Sequence, residues 1–194
     1  MTVEAPEEWV IARVHRVIQA KMAGGEALAS GIALAAERIA NALLGDGHLL
    51  IAGVGPGRSL GSLLHQGIAE GFGFDRPGLP AVLLSPWLAA DGEEASLATQ
   101  VRALGRPQDC LALLATGPVT PGLEGILSAA RSRDMPCILL GNATQESLGL
   151  ALGTPDIELS ATAETLALAL EIQLSAIFAL CESIERHLFG GSAT

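Results

Sequence analysis

The stretch that most constrains this chain is His48–Ser59, which reads His-Leu-Leu-Ile-Ala-Gly-Val-Gly-Pro-Gly-Arg-Ser. An apolar run of strand character passes straight into three alternating glycines, Gly53, Gly55 and Gly57, and then into Leu60–Ile68, which reads as a helix. Strand, glycine loop and helix in succession is how α/β proteins commonly hold a phosphate. Glycine allows positive φ and close approach of N–H groups, and the helix N-terminus adds positive potential. Glycines alone do not separate a ligand cradle from a plain turn. Gly53, Gly55, Gly57, Arg58 and Ser59 are candidate ligand-binding residues on this reading.

The rest of the chain repeats the alternation. Further strands are expected at Leu79–Ser85, Asp109–Ala115, Pro136–Gly141 and Pro155–Leu159, with helices at Glu93–Leu104 and Leu123–Arg133. Continuous apolar strands alternating with helices imply a five-stranded parallel sheet covered on both faces, an α/β fold of flavodoxin-like layering. Ligands in such sheets lie at the C-terminal ends of the strands. That rule brings Ser85 and the Thr116–Thr120 loop, including Gly117, beside the glycine loop as further candidates.

Before the first strand, Pro6–Met22 and Glu26–Leu44 read as two helices separated by Gly24-Gly25, an N-terminal pair ended by Gly45-Asp46-Gly47. After the last strand, Thr162–Leu188 is a long helix, apolar on two sides. One side suits the sheet; the other, with the N-terminal helices, suits a subunit interface. The expected organisation is one domain over 1–194: N-terminal helices (1–45), α/β core (46–160) and interface helix (161–190).

At 194 residues and 49% hydrophobic, the chain can bury a sizeable core. Its net charge of −10 argues against nucleic acid or an anionic membrane as direct partner, and would suit a basic protein. Cys110, Cys137 and Cys181 are odd in number and widely spaced, as free thiols in a reducing cytoplasm would be. The start, with Glu4, Glu7 and Glu8, lacks the pattern of a signal peptide. The longest apolar run, Ala161–Cys181, carries Glu164, Glu171 and Gln173, which argues against a membrane span.

The element order and several phrases resemble the sugar isomerase (SIS) domain, and within it the phosphoheptose isomerase subfamily, which also includes the DnaA initiator-associating protein. The phrases are Asp75-Arg76-Pro77-Gly78-Leu79-Pro80-Ala81, Val101-Arg102-Ala103-Leu104-Gly105-Arg106-Pro107 and Ala129-Ala130-Arg131. The resemblance covers nearly the whole chain. It implies a homotetramer with sites at subunit contacts and a sugar phosphate as ligand.

The functional positions depart from that family. Its Gly-Asn-Gly-Gly-Ser loop aligns with Gly53–Gly57, and its Ser-Thr-Ser-Gly-Asn-Ser phosphate loop with Ala115–Thr120, where only Thr116 and Thr120 keep hydroxyls. Pro118 removes a backbone donor. The catalytic Glu aligns with Gly67 and the catalytic His with Gln173, while the His of the family's His-Phe-x-x-Glu phrase aligns with Leu63. Glutamine does not titrate and cannot shuttle a proton. Zinc ligands of metal-binding members occupy the same positions, so no metal or other cofactor is expected. His65 is two residues from Leu63, about 200° around a helix, and therefore faces away. His15, His48 and His187 lie outside the loops.

Two functions follow. The first is a non-catalytic member of the family, a sugar-phosphate-binding or scaffolding protein of initiator-associating type, or an inactive partner of an active paralogue. The second is a sedoheptulose 7-phosphate isomerase working with substituted residues. In either case a bound phosphate is expected between the Gly55–Ser59 turn and the Thr116–Thr120 loop, held weakly.

Overall fold

Three strand segments, Leu49–Val54 (β1), Cys110–Ala115 (β3) and Cys137–Gly141 (β4), bury nearly every residue, so each must be covered on both faces. The computed structural model, which describes residues 6–73, 75–87, 91–142 and 152–190, shows how. With Ala81–Leu84 (β2) and Ile157–Ser160 (β5) they form one parallel sheet in the order β2-β1-β3-β4-β5. The chain leaves β1 for β2 on one side and β3 takes the other, so the topological switch point lies between β1 and β3. Val54 is opposite Ala115 at their C-terminal ends, which sets the glycine loop against the loop that begins at Thr116. Glu4, part of the acidic start, lies outside the described residues.

Side chains alternate between two cores. Leu49, Ile51, Ala112, Leu114, Ile138 and Leu140 meet the helices Pro6–Leu44 (α1), Gly57–Glu70 (α2) and Leu166–Phe189 (α5). Leu50, Ala52, Leu111, Leu113 and Leu139 meet Glu93–Leu104 (α3) and Pro121–Arg131 (α4). The three cysteines are free and buried, and burial pushes the Cys110 and Cys181 thiols up to about 12. By length and hydropathy α1 and α5 could each cross a bilayer, but half of the most apolar window of α5 is buried within the domain.

The expected N-terminal helical pair is a single helix, α1, that runs unbroken through Gly24-Gly25. Each glycine weakens a helix by about 1 kcal/mol relative to alanine, which is why the sequence reads as a break. Packing outweighs that cost. A Cβ at Gly24 would lie 2.6 Å from Ile172 Cγ2, and one at Gly31 would lie 2.7 Å from Leu159 Cδ2. The two glycines are two helical turns apart on one face, and they let α1 lie close against α5 and β5. The expected stop is present: Asp46 has φ 59, and Gly45 and Gly47 donate to the carbonyls of the last turn.

A buried ion pair fastens α2 to α5. Arg76 Nε donates to Glu185 Oε1 at 2.8 Å, with side chains 1% and 2% exposed. The same guanidinium donates to the carbonyls of Gly67 and Ile68 at the end of α2, and to that of Pro77. Glu185 also accepts the N–H groups of Phe72 and Gly73. Phe72 stacks on Phe178 with ring centroids 5.2 Å apart.

Burial raises the Glu185 carboxyl, but the Phe72 and Gly73 amides and Arg76 together outweigh it and hold the group below its ordinary 4.5. A depressed folded value means that the carboxylate's contribution is complete above pH 4.5 and is lost as pH falls through the folded value. Glu185→Gln is expected to cost about 3 kcal/mol in urea unfolding near neutral pH, because it strands a buried guanidinium. The variant should also lose less stability than the parent chain on acidification below about pH 4.5. Equal acid sensitivity of the two chains would contradict this account.

Candidate functional site

The glycine loop connects β1 to α2 at the switch point. Its glycines are required by backbone contacts. A Cβ at Gly53 would lie 2.5 Å from Gly57 O, and one at Gly57 would lie 2.1 Å from Leu114 O. Gly55 has φ 54 and open space around it. Helix α2 begins at Gly57, earlier than expected, behind Pro56, with no side-chain cap. The close packing of this turn accounts for Gly53 and Gly57 without a ligand.

A pocket of about 150 Å³ opens between the two loops, lined by Val54, Gly55, Ala115, Thr116, Gly117, Pro118, Thr120, Leu123 and Glu94. It holds Gly55, Thr116, Gly117 and Thr120 of the candidates. Ser59 instead lines a separate depression of about 480 Å³ between α2 and α5, with Arg13, Leu63, Leu170, Glu171 and Leu174. Ser85 is exposed and lines neither; its carbonyl accepts from Gln100 Nε2 at 3.0 Å. Ser59 and the two threonines, grouped around one phosphate in the sequence reading, line separate depressions in the structure. Arg58 and Ser59 are consecutive on a helix and diverge by about 100°.

Four of the donors that the sequence nominated, on Thr116, Gly117, Thr120 and Arg58, have partners within the chain. Thr116 Oγ1 donates to Gln173 Oε1 at 2.7 Å, and Gly117 N–H to Asn142 Oδ1 at 2.7 Å. Thr120 Oγ1 donates to Glu94 Oε1 at 2.8 Å while it accepts the Leu123 N–H at 3.0 Å as the N-cap of α4. Arg58 pairs with Glu93 at 3.1 Å. Two adjacent acids in the first turn of α3 thus reach the two loops. The sequence reading missed both: Glu93-Glu94 was legible only as the acidic start of a helix. It missed Asn142 and the Gln173–Thr116 bond as well.

The positions aligned with the catalytic pair are both buried. Gln173 is fully buried, and its Nε2 finds no acceptor among the described residues. Gly67 faces Cys181, whose Sγ would lie 2.7 Å from an added Cβ. Leu63 lines the larger depression with Leu170 and Leu174, so that surface is mostly apolar. At its rim Glu171 pairs with Lys21 at 3.0 Å. His65 lines none of these pockets, and Glu70 accepts from Gln66 at 3.1 Å. His48 pairs with the buried Asp109 at 3.5 Å, which tethers the start of β1 to that of β3. Among the described residues no group of three His, Cys, Asp or Glu side chains is placed to hold a metal ion.

No protein-family model matches the chain. It is 31% identical over 194 residues to the phosphoheptose isomerase of Alkalilimnicola ehrlichii, which covers 96% of this chain and 99% of that protein. It is also 31% identical to that of Methylococcus capsulatus, over 95% of this chain and 98% of the other. The solved phosphoheptose isomerase of Francisella tularensis superposes with a TM-score of 0.85 at 25% identity, covering 94% of this chain and 100% of that one. The sheet order, the near-complete coverage in both directions and the identity agree: this chain belongs to the phosphoheptose isomerase family of SIS-domain proteins.

Proposed function

We propose that this chain is a non-catalytic member of its family, working in the cytoplasm as a scaffolding or regulatory protein of the initiator-associating type. The observation that carries the reading is the pair Gly67 and Gln173. An aldose–ketose isomerase moves a proton between adjacent carbons and needs a titrating acid and base beside them. Here one position has no side chain and the other holds a buried amide bonded to Thr116. Of the sugar-phosphate-binding and scaffolding forms of this reading, the second is favoured, because the loop donors are engaged by the protein's own acceptors. The alternative is an active sedoheptulose 7-phosphate isomerase. The curated relatives carry the name phosphoheptose isomerase, and Glu94 lines the loop pocket, so a carboxylate is near at hand.

A scaffold needs a surface. The N-terminal half of α1 exposes Trp9 (56%), Val10 (64%), Ile11, Val14, Ile18 and Met22. Further along, α1 and α5 leave a shallow groove of about 390 Å³ lined by Gly25, Leu28, Ala29, Ile32, Ala176 and Ala179. Small residues there allow another helix to approach closely. A homo-oligomer, most simply a tetramer, would cover both features. The acidic surface leaves room for a basic protein or an active paralogue as a further partner.

A coupled assay of the purified protein with sedoheptulose 7-phosphate should show no enzymatic turnover, since loss of one positioned proton-transfer group costs about 10²–10⁴-fold. Restoring the family carboxylate as Gly67→Glu should restore no activity and should lower stability, because Cys181 fills the space. Robust turnover by the unaltered chain would establish the alternative. Light scattering at micromolar concentration should give a multiple of the chain mass, and Val10→Glu combined with Val14→Glu should reduce it. A monomer at that concentration would remove the interface.

A further inference from the structure

The loop pocket carries a feature that neither a plain turn nor a phosphate cradle requires: a carboxylate of the chain's own at the N-terminus of α4. Glu94 Oε1 accepts from the N-cap hydroxyl of Thr120 at 2.8 Å. The other oxygen lies flush on the first turn, since a Cβ at Gly122 would be 1.9 Å from Glu94 Oε2 and 2.7 Å from Glu94 Cβ. Position 122 must therefore lack a side chain for the carboxylate to sit where it does. A helix N-terminus attracts negative charge, and a capping hydroxyl is a donor a phosphate oxygen would use. Glu94 occupies the position that those two features prepare for an anion.

The placement is rigid. The first turn of α3 is held beside the first turn of α4 by Leu97, Ala98 and Val101 packing with Leu123, Ile126 and Leu127 in one core. Its neighbour Glu93 reaches the other way and pairs with Arg58 of the glycine loop. The acidic dipeptide thus engages both the hydroxyl at the pocket and the cation at the start of α2. The remaining loop donors, Thr116 Oγ1 and the Gly117 amide, are held by Gln173 and Asn142.

We propose that Glu94 is a built-in anion that fills the phosphate subsite and determines its ligand class: the pocket excludes phosphate monoesters and other anions. An entering phosphate meets a like charge within the same small pocket and must break the Thr120 bond to enter. This inference deepens the non-catalytic reading and rests on it only in taking the loop pocket as the family's phosphate site.

The test is calorimetric titration of the full-length protein with inorganic phosphate, and then with sedoheptulose 7-phosphate. The parent chain should show no binding at about 10 mM ligand, whereas Glu94→Gln should bind with a Kd of about 1 mM or tighter, a gain of at least about tenfold. Glu94→Ala, which also opens space beside Gly122, should gain as well and serves if the Gln variant does not melt cooperatively. Glu37→Gln, exposed on α1 across the sheet from α3 and α4, changes the net charge equally and should gain nothing, which separates a local site from a general drop in repulsion. Millimolar phosphate binding by the parent chain would overturn the proposal. So would the absence of any gain in both Glu94 variants, or an equal gain in Glu37→Gln. An inactive parent chain that binds phosphate would overturn this inference alone; turnover would overturn the non-catalytic reading.

Discussion

A guanidinium and a carboxylate withdrawn from water hold the glycine-loop helix to the last helix, and the rest of the functional region is arranged around that contact. A buried ion pair carries a large desolvation cost, so it persists only where its geometry is well satisfied. Arg76 meets the condition by donating to Glu185 and to three backbone carbonyls. Glu185 meets it by accepting two backbone amides in addition. The network closes the C-terminal end of α2, where the last carbonyls of a helix lack partners, and presses the following turn onto α5. The phrase Arg76-Pro77, met in the sequence only as a family signature, has this as its physical content.

With α2 and α5 fixed against each other, little room remains for what lies between them. Gly67 is opposite Cys181 with no space for a side chain, and Gln173 turns inward to Thr116. The more open surface beyond carries Leu63, Leu170 and Leu174. Burial pushes the Cys181 thiol up to about 12, so it offers no thiolate near neutral pH. Helix-on-helix packing fills both positions. The frame shared with the isomerases is intact, while the chemistry at these positions is that of a core.

How legible this was from sequence depended on whether a feature is local. The strands were readable because both faces of β1, β3 and β4 are buried, which leaves continuous apolar runs. The stop at Gly45-Asp46-Gly47 was readable because a left-handed residue ends a helix wherever it occurs. Gly24-Gly25 misled because the same residue type serves close packing against Ile172, a partner 148 positions away that local propensity cannot register. The site followed the same division. Its loops and most of its donors could be named, but their acceptors could not: Thr120 and Glu94 are 26 residues apart, and Thr116 and Gln173 are 57 apart. Gly122 is a small residue whose necessity appears only once Glu94 lies on it.

The internal pairing of the loop donors also bears on stability. A site built for a charged ligand keeps donors aimed at an empty space, and a stability–activity trade-off follows from holding such groups unsatisfied. In this chain three loop donors are satisfied at 2.7, 2.7 and 2.8 Å by Gln173, Asn142 and Glu94, and Arg58 makes an ion pair with Glu93 at 3.1 Å. The carboxylate of Glu94 gains from the N-terminal field of α4 what a bound phosphate would gain, and does so without the entropy loss of capturing a free ligand. One buried donor stays unpaired among the described residues, the Nε2 of Gln173. An amide is a milder group to bury in that way than an ionised one. On the proposed reading the region binds no anion and moves no proton, while the sheet, the glycine turn and the Arg76–Glu185 clasp are retained as architecture.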